Sequence, residues 1–182
     1  MGRRRPVGTL SDLADELLQA LPAAPVVLVG HSQSCQVVVA VAERDPRVVG
    51  VLLLGPTTDP RMRRPDVLAW RWVRTAVHEP WWQAPLVLVQ WLHTGPRAMR
   101  ALWRQIASDP IDQRLRRVPV PVVVVRGTRD ALCPRDWAVH LAACAPRGRL
   151  VELRRAAHLT PQTRPDDVAR LVRGLQADLD LS

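Results

Sequence analysis

A short apolar run, Val26, Val27, Leu28 and Val29, stops at Gly30. After His31, Ser32, Gln33 and Ser34 the chain turns apolar again for the length of a helix. Four apolar residues bounded by glycine suit a buried strand, and the longer segment suits a helix buried on most of its surface. The stretch therefore reads as strand, tight turn and helix, with Ser32 at the apex.

Gly30-His31-Ser32-Gln33-Ser34 matches the pattern G-x-S-x-G except at its last position, where serine stands for glycine. In that pattern the serine sits on a strained turn, and small flanking residues let helix and strand crowd together. Serine still fits such a gap, though less freely than glycine. A serine hydroxyl is a poor nucleophile until it is lifted clear of the backbone and a base takes its proton. Five residues alone are a weak signal, and the strand and helix around them give it weight.

With 182 residues, 47% of them apolar, the chain suits one domain with a sizeable core. Thr9 and Asp12 have capping-box spacing, and Leu13, Leu17, Leu18 and Leu21 continue as a helical stripe, so a helix is expected over residues 10–21. After the elbow and its helix, Asp45-Pro46-Arg47 is a break. Residues 48–54 then read as a second buried strand, ended by Gly55-Pro56. Two strands joined by a helix form a βαβ unit and hence a parallel pair.

From 57 to 117 prolines at 60, 65, 80, 85, 96 and 110 divide the chain into short helical pieces. These hold Trp70, Trp72, Trp81, Trp82, Trp91 and Trp103. This is an inserted helical cap, flanked by core segments over 1–56 and 118–182. The alternation resumes with a strand over 118–126, the turn Gly127-Thr128-Arg129-Asp130, a helix from Pro134 to about 144, and a strand over 150–153. A loop over 154–163 and a helix over 165–175 close the chain. The fold class is α/β: a parallel sheet of about four strands flanked by helices, with a helical cap insertion.

Open α/β sheets place their sites along the carboxyl ends of the strands. Ser32 falls at the end of the first strand, Asp130 after the third and His158 after the fourth, in the order Ser, Asp, His. Each residue also has a structural reading. Asp130 would cap the helix that opens near Pro134, and His158 is one of five histidines. His31 reads as structural, pointing away from the elbow, while His78 and His93 lie in the insertion and His140 on a helix.

On these residues the chain resembles the α/β-hydrolase-fold family from the elbow to its C-terminus. Gly30-His31-Ser32-Gln33-Ser34 resembles the nucleophile elbow. Gly127, Asp130 and Pro134 resemble the G-x-x-D-x-x-x-P acid turn, and Ala156-Ala157-His158 the histidine loop. The resemblance implies that Ser32 attacks a carbonyl carbon, that His158 takes its proton and returns it to the leaving group, and that Asp130 fixes the imidazole tautomer. It implies the Gln33 amide as one oxyanion donor, and an ester-like small molecule as substrate of an acyl-enzyme reaction. Trp81, Trp82 and Trp91 of the cap would line an apolar substrate pocket, with ordinary packing as their plain reading in a chain without Phe or Tyr. Serine at position 32 excludes a match to the carboxylate-nucleophile relatives, the epoxide hydrolases and haloalkane dehalogenases. The same triad serves ester, thioester, amide and C–C hydrolysis, and fold does not choose among them.

The family carries four strands and a helix ahead of the segment matched, with the second oxyanion amide in the loop after the third of those strands. The N-terminal half of that fold is expected to be missing here, which leaves the strand at 26–29 as an apolar sheet edge. Such an edge invites association with a second copy. The alternative to an active enzyme is a catalytically impaired fragment or a non-enzymatic scaffold, favoured by Ser34 and by the missing strands.

The net charge is +9, and all 26 basic residues are arginine. They are scattered among acidic residues and accompany no nucleic-acid motif, so no nucleic-acid partner is expected. Three cysteines without C-x-x-C spacing indicate neither a disulfide framework nor a zinc site and suit a reduced, cytoplasmic protein. The basic start leads into polar Thr9, Ser11 and Asp12 instead of a signal core. The apolar run over 84–89 is far too short for a bilayer, so no membrane partner is expected. No metal or organic cofactor is implied, since neither a ligand cluster nor a phosphate-binding glycine loop is present.

Overall fold

The computed structural model of the protein describes residues 8–180. Thr9 and Asp12 form the expected capping box, with reciprocal bonds of 3.1 and 2.7 Å. It opens α1 (Leu10–Ala20), whose Ala14, Leu17 and Leu18 turn to the core. No glycine ends this helix. Instead the Arg47 guanidinium donates to the carbonyls of Leu18, Leu21 and Pro22 at 3.0–3.1 Å, satisfying groups a helix end otherwise leaves orphaned.

Then follow β1 (Val26–His31), α2 (Ser34–Ala42) and β2 (Val48–Leu54). After the insertion come β3 (Val122–Gly127), α7 (Arg135–Cys144) and β4 (Gly148–Leu153), then α8 (Thr160–Thr163) and α9 (Pro165–Asp180). The four strands are parallel and lie in the order β1-β2-β3-β4. β3 begins later than the apolar run, since Pro119 and Pro121 have no amide for the ladder.

Alternate residues of β2 and β3 face opposite layers, as the two-residue period of a strand dictates. Val51, Leu53, Val122 and Val124 pack with Ala14 of α1, Val38 of α2 and Leu141 of α7. Leu52, Leu54, Val123 and Val125 pack with Leu171, Val172 and Leu175 of α9. Burying both faces makes these strands continuously apolar, and each such side chain contributes about 1.5–3 kcal/mol. β1 is an edge strand, and Val29 is 43% exposed.

The insertion consists of a 3₁₀ turn at Pro60–Arg63, α3 (Pro65–Ala76), a 3₁₀ turn at Trp81–Gln83, α4 (Ala84–Thr94), α5 (Pro96–Ala107) and α6 (Ile111–Leu115). Prolines open several of these pieces, where a missing amide costs nothing. α6 belongs with the layers of the sheet: Ile111 and Leu115 are fully buried in the cluster that holds α2 and α7. Several arginines are internal. Arg71 meets Asp59 at 2.5 Å, and Arg114 bonds Asp109 at 2.8 Å and also pairs with Glu43. Among the described residues no helix is long and apolar enough to cross a membrane.

Candidate active site

The register brings the carboxyl ends of the strands into line: His31 lies beside Leu54, Leu54 beside Val125, and Gly127 beside Leu153. Ser32 follows the first of these ends with φ 56°, a left-handed conformation that costs an L-residue about 1–2 kcal/mol. Its amide donates to Leu54 O at 2.8 Å, and its carbonyl accepts from the Cys35 amide at 3.2 Å. Ser34 stabilises the same turn, since its hydroxyl accepts from the His31 amide at 2.8 Å and donates to the His31 carbonyl at 2.9 Å. A glycine there would make neither bond. Gln33 sits at the N-cap of α2, where amides lack partners within the helix.

Asp130 is 2% exposed and divides its two oxygens. Oδ1 accepts the amides of Leu132 at 2.9 Å and Cys133 at 3.1 Å, while Oδ2 faces Nδ1 of His158 at 2.8 Å. The carboxylate pairs with His158 but binds the amides of its own turn and does not cap the helix as expected, since the N-cap of α7 is Pro134 and carries no side-chain cap bond. Buried Arg126 steadies the turn by donating to the carbonyls of Cys133 at 2.9 Å and Asp130 at 3.2 Å. With Nδ1–H directed at Asp130, the neutral imidazole keeps Nε2 as an acceptor.

Burial disfavours a charged His158, but the Asp130 carboxylate outweighs it through charge and hydrogen bond, with Glu79 adding charge, and the pKa ends above the usual 6.5. Burial likewise opposes the Asp130 charge, yet His158 and the Cys133 and Leu132 amides hold its pKa below 3.8.

Gly55, next after β2, explains how the pair reaches this edge. Its φ is 55°, and a Cβ there would lie 2.9 Å from His158 Nδ1 and 3.1 Å from Asp130 Oδ2. Only glycine lets the pair close against the end of β2. Ser32 binds Leu54, the residue before it, so the elbow and the pair converge on the same strand end. Among the described residues no hydrogen bond joins the Ser32 hydroxyl to His158. Such bonds are often long before substrate binds.

His31 corrects the sequence expectation. It does not point away: its ring lies 4.9 Å from that of His158, and its Nε2 donates to the His158 carbonyl at 3.0 Å. The reason is that β1 continues through His31, which puts this side chain at the sheet edge where the loop after β4 crosses. Burial first, and the neighbouring His158 second, push its pKa down to about 4.

Two further residues escape any local motif. Thr75 Oγ1 accepts the amides of Ala131 at 3.0 Å and Leu132 at 3.2 Å. Glu79 Oε1 accepts those of His158 at 2.6 Å and Leu159 at 2.7 Å. Both belong to the insertion, and neither the spacing nor the residue type marks them.

The three tryptophans expected to line a pocket all reach the surface. Trp81 is 86% and Trp82 52% exposed, while Trp91 is 39% exposed and stands with its ring 4.9 Å from that of Trp72. Two open clefts, of about 220 and 170 Å³, are lined by Val89, Leu92 and His93 and by a set that includes Glu79, Ala157 and Arg164. None of the three tryptophans lines either. Cys35 and Cys133 are buried, and burial raises both thiols, so neither is poised as a thiolate.

A parallel sheet between helical layers, with a strained serine after one strand and a buried carboxylate–imidazole pair after two others, places the chain in the class of α/β-hydrolase folds. The model of the alpha/beta hydrolase family matches residues 1–171, and the chain belongs to that family. Solved structures share the architecture. Est816, described as an N-acyl homoserine lactone degrading enzyme, is 21% identical over 95% of this chain and 77% of its own, with a TM-score of 0.70. MGS-M2, an α/β hydrolase enzyme from a Medee basin deep-sea metagenome library, is 16% identical over 97% and 74%, with a TM-score of 0.72. A bromoperoxidase from Bacillus anthracis is 14% identical over 92% and 72%, with a TM-score of 0.69. At these identities the likeness shows the fold alone. No curated protein matches the chain.

Proposed function

We propose that the chain is a serine hydrolase that cleaves a carboxylic ester, or a closely related carbonyl substrate, through an acyl-enzyme. The observation that carries this reading is the buried Asp130–His158 pair, 2.8 Å apart and packed on the same strand end as the Ser32 turn. Ser32 Oγ attacks the carbonyl carbon while His158 Nε2 takes its proton. The tetrahedral intermediate collapses, and His158 returns the proton to the departing alcohol. Water, deprotonated by His158, then releases the acid and restores Ser32. Asp130 holds the imidazole in the Nδ1–H tautomer and favours its charged form, and the Gln33 amide donates to the developing oxyanion.

The test is hydrolysis of p-nitrophenyl acetate and butyrate by the purified chain and by Ser32→Ala. The expected result is turnover that falls by roughly 1000-fold or more in the variant. Equal rates in the two proteins would overturn the reading. A second reading, a scaffold with the triad letters and no turnover, is favoured by the open Ser32–His158 bond. It predicts that a folded wild-type chain hydrolyses neither ester.

A further inference from the structure

The inserted segment reaches the backbone at or beside both members of the acid–base pair. Thr75, in the last turn of α3, is 2% exposed, and its hydroxyl oxygen gathers the amides of Ala131 and Leu132, the two residues after Asp130. The Leu132 amide is shared, since it also reaches Asp130 Oδ1 at 2.9 Å. Thr75 therefore fixes the turn that aims Asp130 Oδ2 at His158.

Glu79, just past the same helix, holds the His158 amide at 2.6 Å, and His31 holds the His158 carbonyl at 3.0 Å. The backbone of His158 is gripped on both sides, once from the insertion and once from the elbow strand. Among the described residues Glu79 Oε2 is buried and has no hydrogen-bond partner. The other oxygen, Oε1, alone serves both amides. The Glu79 carboxylate also adds negative charge near the imidazole, behind that of Asp130. The groups facing His158 are Asp130, Glu79 and His31, and His31 is neutral at neutral pH.

We infer that Thr75 and Glu79 are positioning residues for the Asp130–His158 pair, so that the seating of the inserted segment sets the geometry of the imidazole. This rests on the reading of that pair as the acid and base of a serine hydrolase. A consequence is that displacing α3 would loosen the acid turn and the histidine loop together.

The test follows fluorophosphonate labelling against pH by intact mass, for the wild-type chain, Thr75→Val, Thr75→Ser, Glu79→Gln and Glu79→Ala. The imidazole titration of His158, read by NMR, accompanies it, with circular dichroism as the check of folding. Thr75→Val and Glu79→Ala are expected to label about 3- to 10-fold more slowly, and Thr75→Ser to label as wild type. Glu79→Gln keeps its acceptor oxygen, so it should keep the plateau rate while its acid limb and the imidazole midpoint both move to lower pH. Wild-type rates and an unmoved acid limb across the variants would overturn the inference. A wild-type chain that takes up no probe would instead overturn the nucleophile reading, and the His158 midpoint then decides alone. A lower midpoint in Glu79→Gln upholds the positioning role of Glu79, and an unmoved one ends it. If Thr75→Val does not fold, Thr75→Ala is compared with Thr75→Ser in the same titration: a changed midpoint restored by serine upholds the role of Thr75, and identical midpoints end it.

Discussion

Ser32 keeps a left-handed backbone because its neighbours hold it there: Leu54 takes its amide, and the Ser34 hydroxyl closes both polar groups of His31. At Asp130 and His158 the same economy of atoms sets a pH dependence. His158 must be neutral to take a proton, and its raised pKa places the acid limb of activity above pH 6.5. Asp130→Asn removes the charge that lifts it. The acid limb should move to lower pH, and the plateau should fall by about 10⁴-fold, measurable in the pH profile of ester hydrolysis. Stability follows with the opposite sense for the two partners. The raised pKa of His158 contributes stability that is fully present below pH 6.5 and lost as pH rises through the folded value. The depressed pKa of Asp130 contributes stability present above 3.8 and lost as pH falls through its own. At this scale the placement of Ser32, Asp130 and His158 after strand ends was legible, because each sits in a short motif there. His31 was misread, since its direction depends on how far β1 runs.

The elements around the site touch backbone to backbone. At Gly127 a Cβ would lie 2.2 Å from the Ala157 carbonyl oxygen and 2.3 Å from that of Ala156, so the acid turn and the histidine loop leave no room for a side chain. Gly127→Ala is expected to cost roughly 1–3 kcal/mol in urea unfolding and to lower activity beyond what that loss explains, because the loop that carries His158 must shift. An unchanged unfolding midpoint would contradict this contact. β2 and β3 were legible as continuous apolar runs, and α1 from its cap and stripe. The burial of α6 was not, since a five-residue helix carries too little pattern to show a core face. The one-turn α8 and the roles of Thr75 and Glu79 were hidden for a related reason. Glu79 and His158 are 79 positions apart, and only the folded chain makes them neighbours.

At the scale of the molecule, β1 is an edge of the four-stranded sheet that the described residues form, with Val29 43% accessible beside the Ser32 turn. An apolar edge with unpaired backbone groups favours self-association. Sedimentation velocity at micromolar concentration should show dimers or larger species that dissociate on dilution, and a monodisperse monomer would contradict this expectation. Arg47, Arg71, Arg114 and Arg126 are each engaged within the fold. Intact-mass analysis after exposure to a fluorophosphonate probe tests Ser32 as a nucleophile without a choice of substrate. One adduct is expected on the wild-type chain and none on Ser32→Ala. A folded wild-type chain that gains no mass, or a variant that gains as much, would contradict it.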